Sequence, residues 1–428
     1  MHLALALILA LNTTQLMREG DVPGVAIVRI HDGRIQSHRS FGVANAETRQ
    51  PLRDDAVFET ASLTKPVFAY AVMKLVDAGV LALDVPLSRY LDEPLPDERM
   101  KRITARMVLS HTTGLQNEVM PGETLQLDFE PGERFRYSGA GYLYLARVVE
   151  HLTQKPLPVL MRELVFDPLR MQSATYTWRD ELEQKEVFGH KSSGAVAARR
   201  KPTEATLPML HVTALDYAKF VVAVMKDPRG MLAPQVEVAP SLSWGLGWAL
   251  ERTKRGQAFW HWGENNGEFQ NFVMAYPDSG DALVVFTNSG NGFSIMPDLV
   301  ANVFPGEHPA FAFMHYDHYD APVRVFWRDV AKRGAESALK TPLAKQLDER
   351  QLNRIGYDLL SLKRANEAVT MLREVVARYP DSFNAYDSLG EAYAAAGDRA
   401  NAIANYERSL ALNPKNTNAV EMLKQLQP

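Results

Sequence analysis

Cysteine is absent from the 428 residues of this chain. This absence excludes disulfide bonds, thiolate metal sites, a cysteine nucleophile and a lipid attached through an N-terminal cysteine. A strong net charge is also missing, since the formal charge at pH 7 is only -4, and the composition therefore gives no reason to expect a nucleic-acid partner. Hydrophobic residues make up 46% and charged residues 23% of the chain, as in ordinary globular proteins.

The N-terminal apolar run, residues 3–11, is too short to span a membrane. It resembles the core of a signal peptide, but no Lys or Arg precedes it and no small-x-small cleavage site follows it. The alternative is a first amphipathic helix that ends near Gly20. We expect no membrane span, and we favour a periplasmic or secreted location slightly over a cytoplasmic one.

The length of the chain is too great for one ordinary core, and two or three domains are expected. Because the composition changes after Pro305, we predict one domain at 1–305, a linker at 306–322 and a helical domain at 323–428. The linker region contains several potential metal ligands, namely His308, His315, Asp317 and His318. Nothing in their spacing fixes a ligand geometry, so we predict an aromatic linker and no metal site.

The C-terminal region repeats with a period of 34 residues. Identical residues recur at this interval: Gly356 and Gly390, Ala368 and Ala402, Pro380 and Pro414. Small residues at a helix crossing and Pro at the end of each repeat are typical of tetratricopeptide repeats. The segment after Pro414 is expected to be a capping helix. Such an array could bind a separate protein partner, the catalytic domain of the same chain or a second subunit, and the sequence does not choose among these alternatives.

Strands are predicted at both ends of the first 305 residues. Two runs, at 25–30 and 34–42, flank Asp32-Gly33, which is a strong signal for a β-hairpin. Further strands are expected at 243–250, 258–263, 272–276 and 282–288, and a closing helix at 295–304. Helices are predicted between the two groups of strands. We therefore predict an α+β fold, with one antiparallel sheet flanked by helices plus a helical lobe, followed by an all-α repeat domain.

Ser62 and Lys65 form a Ser-x-x-Lys pair where a helix is predicted to begin. Pro66 falls in the first turn, where a missing N–H is tolerated. Residues i and i+3 share a helix face, so Lys65 is expected beside Ser62. A serine hydroxyl needs a base to take its proton, and a lysine can serve if burial lowers its pKa.

Two further motifs follow, Tyr137-Ser-Gly139 and His261-Trp-Gly263. A tyrosine beside a cationic lysine can lose its phenolic proton, which would suit acid–base work. A second Ser-x-x-Lys copy, at 337–340, has no such partners and is interpreted as a solvated helix face. His111 is interpreted as a residue that fixes its loop by hydrogen bonds. No Gly-x-Ser-x-Gly occurs, so an α/β-hydrolase elbow has no candidate.

In order and spacing, the three motifs resemble the active-site motifs of the superfamily of class C β-lactamases, DD-peptidases and family VIII carboxylesterases. The similarity covers about residues 15–305 and includes the segments 109–115 and 131–137. It implies a serine hydrolase that forms an acyl-enzyme on a small-molecule or peptide-like acyl substrate and needs no cofactor.

The resemblance also implies a role for each motif residue. Ser62 would be the nucleophile, and Lys65 and Tyr137 would share acid–base duty. His261, with Trp262 and Gly263, would form the third motif, which faces Ser62 and contacts substrate. The oxyanion hole would be the backbone N–H groups of Ser62 and Glu264.

Two positions depart from the family pattern. The second motif usually ends in Asn, whose side chain contacts substrate, but here the position is Gly139. The third motif often reads Lys-Thr-Gly, but here it is His-Trp-Gly followed by Glu264. Trp262 would crowd the cleft and Glu264 would repel a substrate carboxylate.

These departures favour an esterase that acts on small uncharged acyl substrates. A β-lactamase and a D-Ala-D-Ala carboxypeptidase or D-aminopeptidase remain alternatives. From other classes, a non-catalytic penicillin-recognising protein and a repeat-mediated binding protein also remain open.

Overall fold

The computed structural model describes residues 12–118, 124–198, 209–265 and 267–426. The chain forms two compact units: one comprises Met1–Gly189 and Val196–His315, and the other comprises His190–Ala195 and Tyr316–Pro428. The candidate signal segment at 3–11 lies outside the described residues. Within those residues, no helix is both long enough and apolar enough to cross a bilayer.

A nine-stranded antiparallel sheet dominates the described part of the first unit, in the order β3-β2-β1-β11-β10-β9-β8-β7-β6, while β4 and β5 pair separately. In chain order, β1 to β11 are Gly24–His31, Arg34–Asn45, Gln50–Pro51, Phe58–Glu59, His211–Val212, Val236–Ala239, Leu242–Trp244, Ala249–Thr253, Gly256–Asn265, Phe269–Tyr276 and Asp281–Thr287. Because β1 pairs with β11, with Val25 opposite Thr287, strands from the two ends of the unit meet inside the sheet. The predicted hairpin and the predicted sheet from both chain ends are confirmed.

Helices cover the sheet. They are α1 over 12–19, α2 Thr64–Asp77, α3 Ala105–Leu109, α4 Gly139–Thr153, α5 Leu157–Met161, α6 Ala214–Lys226, α7 Met296–Ala301 and α8 Pro309–Phe313. Side chains alternate between the two faces of a strand, and the inner strands present apolar side chains to the main helices, whereas most of β2 is partly or fully exposed. Val28 and Phe286 of the sheet join one core with Phe68 of α2, Leu145 of α4 and Phe220 of α6. This core holds α2, which carries Lys65, and α4, which begins at Gly139.

The prediction of one continuous strand at 243–250 is wrong, because the segment contributes to two strands, β7 and β8, with an interruption between them. A Cβ atom at Gly245 would lie 2.2 Å from the carbonyl oxygen of Met231, so only glycine fits there. Gly247 has φ +88°, a left-handed conformation that strands do not use. Both glycines turn the chain between two antiparallel partners.

The region predicted as a linker, 306–322, contains α8, which packs on the face of the sheet opposite the main core. The ring of Phe311 stacks on Phe272, with 5.2 Å between ring centroids. The ring of Phe313 meets Trp260 at 6.2 Å. The first compact unit consequently runs to His315, ten residues past the predicted boundary. The domain boundaries themselves stay a prediction.

The second unit is helical, in agreement with the predicted repeats. Its helices are α9 Pro322–Arg333, α10 Ala335–Leu339, α11 Glu349–Ser361, α12 Ala365–Arg378, α13 Phe383–Ala395, α14 Arg399–Leu412 and α15 Thr417–Leu426. A Cβ atom at Gly356 would lie 2.7 Å from the side chain of Leu372, and one at Gly390 would lie 3.1 Å from the ring of Tyr406. The two glycines therefore allow the same close helix crossing 34 residues apart. Ser337 is exposed, as predicted for a solvated helix face.

Candidate active site

Ser62 lies in a single 3-10 turn, Ala61–Leu63, between β4 and α2. The hydroxyl of Tyr217 donates a hydrogen bond of 2.9 Å to the carbonyl oxygen of Leu63, which fixes the turn from α6. Ala61 has φ +50°, a left-handed conformation that residues with a Cβ atom seldom adopt. Because the surrounding packing must hold such a conformation, the Ser62 hydroxyl is presented in a defined direction.

Lys65 lies beside Ser62, as the i, i+3 spacing predicts. Its Nζ donates a hydrogen bond of 3.0 Å to the Ser62 Oγ. Burial lowers the pKa of Lys65 from its ordinary 10.5 to about 8, and the carboxylate of Glu118 acts in the opposite direction. A lysine with this pKa has a neutral fraction at physiological pH, and a neutral amine can accept the serine proton.

Tyr137 completes a cluster with Ser62 and Lys65. The Lys65 Nζ lies 5.1 Å from the centroid of the Tyr137 ring. Burial raises the pKa of Tyr137, and an interaction with the Ser62 hydroxyl offsets this only in part. The phenolic oxygen is inaccessible to solvent and forms no well-aligned hydrogen bond with the described residues. Burial therefore favours the protonated phenol in this structure, and the acid–base role of Tyr137 stays a prediction.

His111 fixes the segment that carries Tyr137. Its ring stacks on the Tyr137 ring at 4.2 Å, and its Nδ1 accepts a hydrogen bond of 3.0 Å from the backbone N–H of Ser138. Burial lowers the pKa of His111 well below its usual range, so the ring is neutral. The interpretation of His111 as a residue that fixes its loop is confirmed.

Gly139 begins α4, and a loop occupies the space that a side chain would need there. A Cβ atom at this position would lie 2.7 Å from the backbone oxygen of Asn117. The N–H of Gly139 donates to the Asn117 side-chain oxygen at 3.0 Å. Asn117 and the adjacent Glu118 are the residues that sequence reasoning missed, because nothing in their spacing ties them to the three motifs. Their only signal is their place just after the segment 109–115, which resembles the family.

The third motif lies on β9, which passes directly over the Ser62 turn. A Cβ atom at Gly263 would lie 2.1 Å from the Thr60 carbonyl oxygen, so only glycine permits this approach. His261 is fully buried, and its Nδ1 donates to the Trp262 carbonyl oxygen at 2.7 Å. Burial lowers the pKa of His261 to about 3, so the ring is neutral at physiological pH. A neutral ring cannot offer a substrate carboxylate the charge that a lysine would offer.

Trp262 and Glu264 point to the other side of β9 from His261, because side chains alternate along a strand. The Trp262 ring lies 5.2 Å from the Tyr137 ring, so it borders the cluster as the motif predicts. Glu264 is exposed, and its carboxylate accepts a hydrogen bond of 2.9 Å from the Gln270 side chain. Among the described residues, no group of three or more His, Asp or Glu side chains is arranged to hold a metal ion.

The arrangement brings together a hydroxyl, an amine of lowered pKa and a phenol, which are groups that a serine hydrolase could use for proton transfer. Comparison with known proteins agrees with this class. The beta-lactamase family pattern matches residues 9–302, and the chain belongs to that family. Tetratricopeptide-repeat patterns match residues 354–382 and 383–416.

Two similar proteins bear different names, one an esterase and the other a penicillin-binding protein. The chain is 32% identical over 235 residues to "Esterase EstB" of Burkholderia gladioli, a match that covers 48% of this chain and 59% of the esterase. It is 26% identical over 327 residues to "Penicillin-binding protein 4" of Amycolatopsis lactamdurans, which covers 66% of this chain and 85% of that protein.

Solved structures of similar fold include the octameric penicillin-binding protein homologue from Pyrococcus abyssi. It aligns with a TM-score of 0.61 and 21% identity over 76% of this chain and 81% of its own. A β-lactamase/D-alanine carboxypeptidase from Pseudomonas syringae aligns with a TM-score of 0.63 and 16% identity over 72% of this chain and 100% of its own. At these identities the likeness concerns the fold alone.

Proposed function

We propose that this member of the beta-lactamase family is an esterase that acts on small, uncharged acyl substrates through an acyl-enzyme at Ser62. The observation that carries the proposal is the 3.0 Å hydrogen bond between Ser62 and Lys65, whose pKa burial lowers to about 8. A serine without such a base is a weak nucleophile.

In the proposed first step, neutral Lys65 accepts the Ser62 proton while the Ser62 Oγ forms a bond to the substrate carbonyl carbon. The carbonyl oxygen gains negative charge, and the backbone N–H groups of Ser62 and Glu264 are proposed to stabilise it. The bond to the leaving alcohol then breaks. Tyr137 gives its proton to the alcohol oxygen and is reprotonated by the Lys65 ammonium. Water releases the acyl group by the reverse proton route.

Charge around the cleft favours neutral substrates. His261 is neutral, with a pKa lowered by burial to about 3, so the third motif supplies no cation for a substrate carboxylate. Glu118 acts electrostatically on Lys65, and Glu264 directly follows the third motif in sequence, so both carboxylates are proposed to act on a bound substrate. Like charges destabilise a bound anion, and this disfavours anionic β-lactams and D-Ala-D-Ala peptides.

The second candidate function is hydrolysis of a β-lactam or a D-alanyl peptide, and the match to a penicillin-binding protein over 85% of that protein's length favours it. A non-catalytic role would require Ser62 and Lys65 to be paired for no chemical purpose. The repeats are proposed to bind a protein partner or a second subunit.

The test is turnover of a panel containing a neutral short-chain ester, a chromogenic cephalosporin and a D-amino-acid amide. We expect the neutral ester to be the best substrate. Ser62→Ala should abolish turnover, and Lys65→Ala or Tyr137→Phe should each reduce it by about 10⁴-fold, without adding to the loss in Ser62→Ala. A fluorophosphonate probe should label Ser62, while Ser337→Ala serves as the matched control and leaves labelling unchanged. Full activity in Ser62→Ala would overturn the proposal.

A further inference from the structure

Three half-buried aromatic rings form a continuous surface next to the Ser62 cluster, and we call this surface the aromatic wall: Phe135, Trp262 and Phe313. The rings of Trp262 and Phe313 are 5.9 Å apart, and those of Phe135 and Phe313 are 6.3 Å apart. Fully buried Trp244 and Trp260 pack behind them, at 5.1 Å from Phe135 and 5.7 Å from Trp262. Rings at these separations contact one another, and each ring of the wall keeps an accessible part.

Phe313 comes from a part of the chain that the family pattern does not cover. That pattern matches residues 9–302, whereas Phe313 is the last residue of α8. A buried polar contact anchors this helix: the Glu251 side chain accepts hydrogen bonds from the ring of His308 at 2.7 Å and from the N–H of Ala310 at 3.0 Å. The other ring nitrogen of His308 bonds to the Phe304 carbonyl oxygen at 2.9 Å. The short helix therefore has a fixed position on the sheet.

The aromatic wall lies on the Tyr137 side of the cluster. The Trp262 ring is 5.2 Å from the Tyr137 ring, and Lys65 lies on the same ring at 5.1 Å from its centroid. In the proposed function, Tyr137 hands its proton to the leaving alcohol. Trp262 therefore places the beginning of the aromatic wall next to the residue that protonates the leaving alcohol in that proposal.

We propose that the aromatic wall is a binding subsite for the alcohol part of the substrate, and that it takes an uncharged aromatic group, with Phe313 as a specificity-determining residue. The subsite rests on the proposed function, because it assigns the wall to the leaving group of that reaction. Apolar rings favour a planar apolar partner and offer no hydrogen bond to a charged one. The residue proposed to select the leaving group thus lies outside the part of the chain that the family pattern matches.

The experiment compares 2-phenylethyl acetate with butyl acetate. Both esters are neutral, their alcohols have similar acidity, and both give the same acetyl-enzyme, so the ratio of their kcat/KM values reports only on contacts with the alcohol group. We expect the wild type to prefer the phenylethyl ester by about tenfold. Phe313→Ala should reduce this preference by about 2- to 12-fold, the range of one aromatic contact. Phe313→Leu should give an intermediate ratio.

Phe311→Ala is the matched control, because it removes the same ring from the same helix at a position that packs on Phe272 instead of Trp262. It should leave the ratio unchanged. An equal effect of Phe311→Ala and Phe313→Ala would overturn the subsite, since it would show that only the placement of α8 matters.

A binding measurement separates this proposal from the proposed function. We expect 2-phenylethanol, the product, to bind the Ser62→Ala variant more tightly than butan-1-ol in calorimetric titrations, and the difference to disappear when Phe313→Ala is added. If Ser62→Ala shows this binding preference but the wild type hydrolyses neither ester, the proposed function is overturned and the subsite is supported. Ester turnover with no preference for the phenylethyl group, in rate or in binding, would overturn the subsite alone.

Discussion

Replacing Glu118 with Gln removes a carboxylate that raises the pKa of Lys65. If Lys65 is the base that takes the Ser62 proton, the enzyme needs it neutral, and kcat/KM must rise with pH around the Lys65 pKa of the free enzyme. In Glu118→Gln the ammonium form loses a favourable neighbour. The pKa of Lys65 should therefore fall, and the rising limb of the pH profile should move to lower pH.

The size of the expected change in kcat/KM with pH follows from the pKa that burial gives Lys65. With a pKa of about 8, roughly 9% of the lysine is neutral at pH 7, whereas about 0.03% would be neutral at the ordinary pKa of 10.5. Burial thus raises the reactive fraction by about 300-fold at pH 7. Between pH 6 and pH 8 the neutral fraction increases from about 1% to about 50%, so kcat/KM should increase about 50-fold over this range.

The assay is hydrolysis of a neutral acetate ester at constant ionic strength from pH 5.5 to pH 10, for the wild type and for Glu118→Gln. Glu237→Gln makes the same charge change at an exposed side chain of the edge strand β6, a residue with no electrostatic effect on Lys65 among those that set its pKa. We expect the rise of kcat/KM with pH to have its midpoint near pH 8 in the wild type. The midpoint should be lower in Glu118→Gln and unchanged in Glu237→Gln. A limb near pH 6.5, or a shift to higher pH in Glu118→Gln, would refute the role of Lys65.

Three further predictions concern side chains at close contacts. Gly139→Asn, which installs the usual family residue, should lower kcat/KM for a neutral ester by about 10- to 100-fold, because its Cβ would meet the Asn117 oxygen at 2.7 Å; a gain in activity would contradict this reasoning. Glu264→Ser should raise kcat/KM for an anionic cephalosporin about 5-fold and leave a neutral ester unchanged, since an exposed carboxylate repels weakly; equal changes for both substrates would exclude a charge effect. Gly356→Val should lower the stability of the helical unit by about 1–3 kcal/mol in denaturation followed by circular dichroism, because its side chain would overlap Leu372; an unchanged midpoint would show that the crossing adapts.

Local periodicity made the centre of the site predictable. The contact between Ser62 and Lys65 follows from an i, i+3 relation within one short stretch, and the 3.0 Å hydrogen bond agrees with it. The repeat glycines Gly356 and Gly390 were likewise predictable, because a fixed interval places them at equivalent helix crossings. In both cases the physical cause acts within a few residues or recurs at a constant period.

The surroundings of the site were not predictable in the same way. Glu118 acts on Lys65 from a loop, and Phe313 contacts Trp262 from a helix far along the chain. No spacing rule connects either residue to Ser62. Burial decides protonation, so the neutral states of Tyr137 and His261 emerged only with the packing. The break between β7 and β8 escaped prediction because Gly245 is required by a contact with distant Met231, and not by its neighbours in sequence.

The pairing of β1 with β11 has a consequence for how the chain is made. Val25 can pair only after its partner Thr287 has been synthesised, about 260 residues later in the chain. At 5–20 residues per second this delay is about 13–50 s. During this interval one edge of the β1–β2 hairpin has no partner strand, and an unpaired strand edge is prone to aggregate. The hydrolase unit can close its sheet only near the end of its own synthesis, whereas the helical repeats, built from neighbouring contacts, can fold as soon as they emerge. A chain that terminates before β11 would therefore leave one edge of β1 without its partner strand.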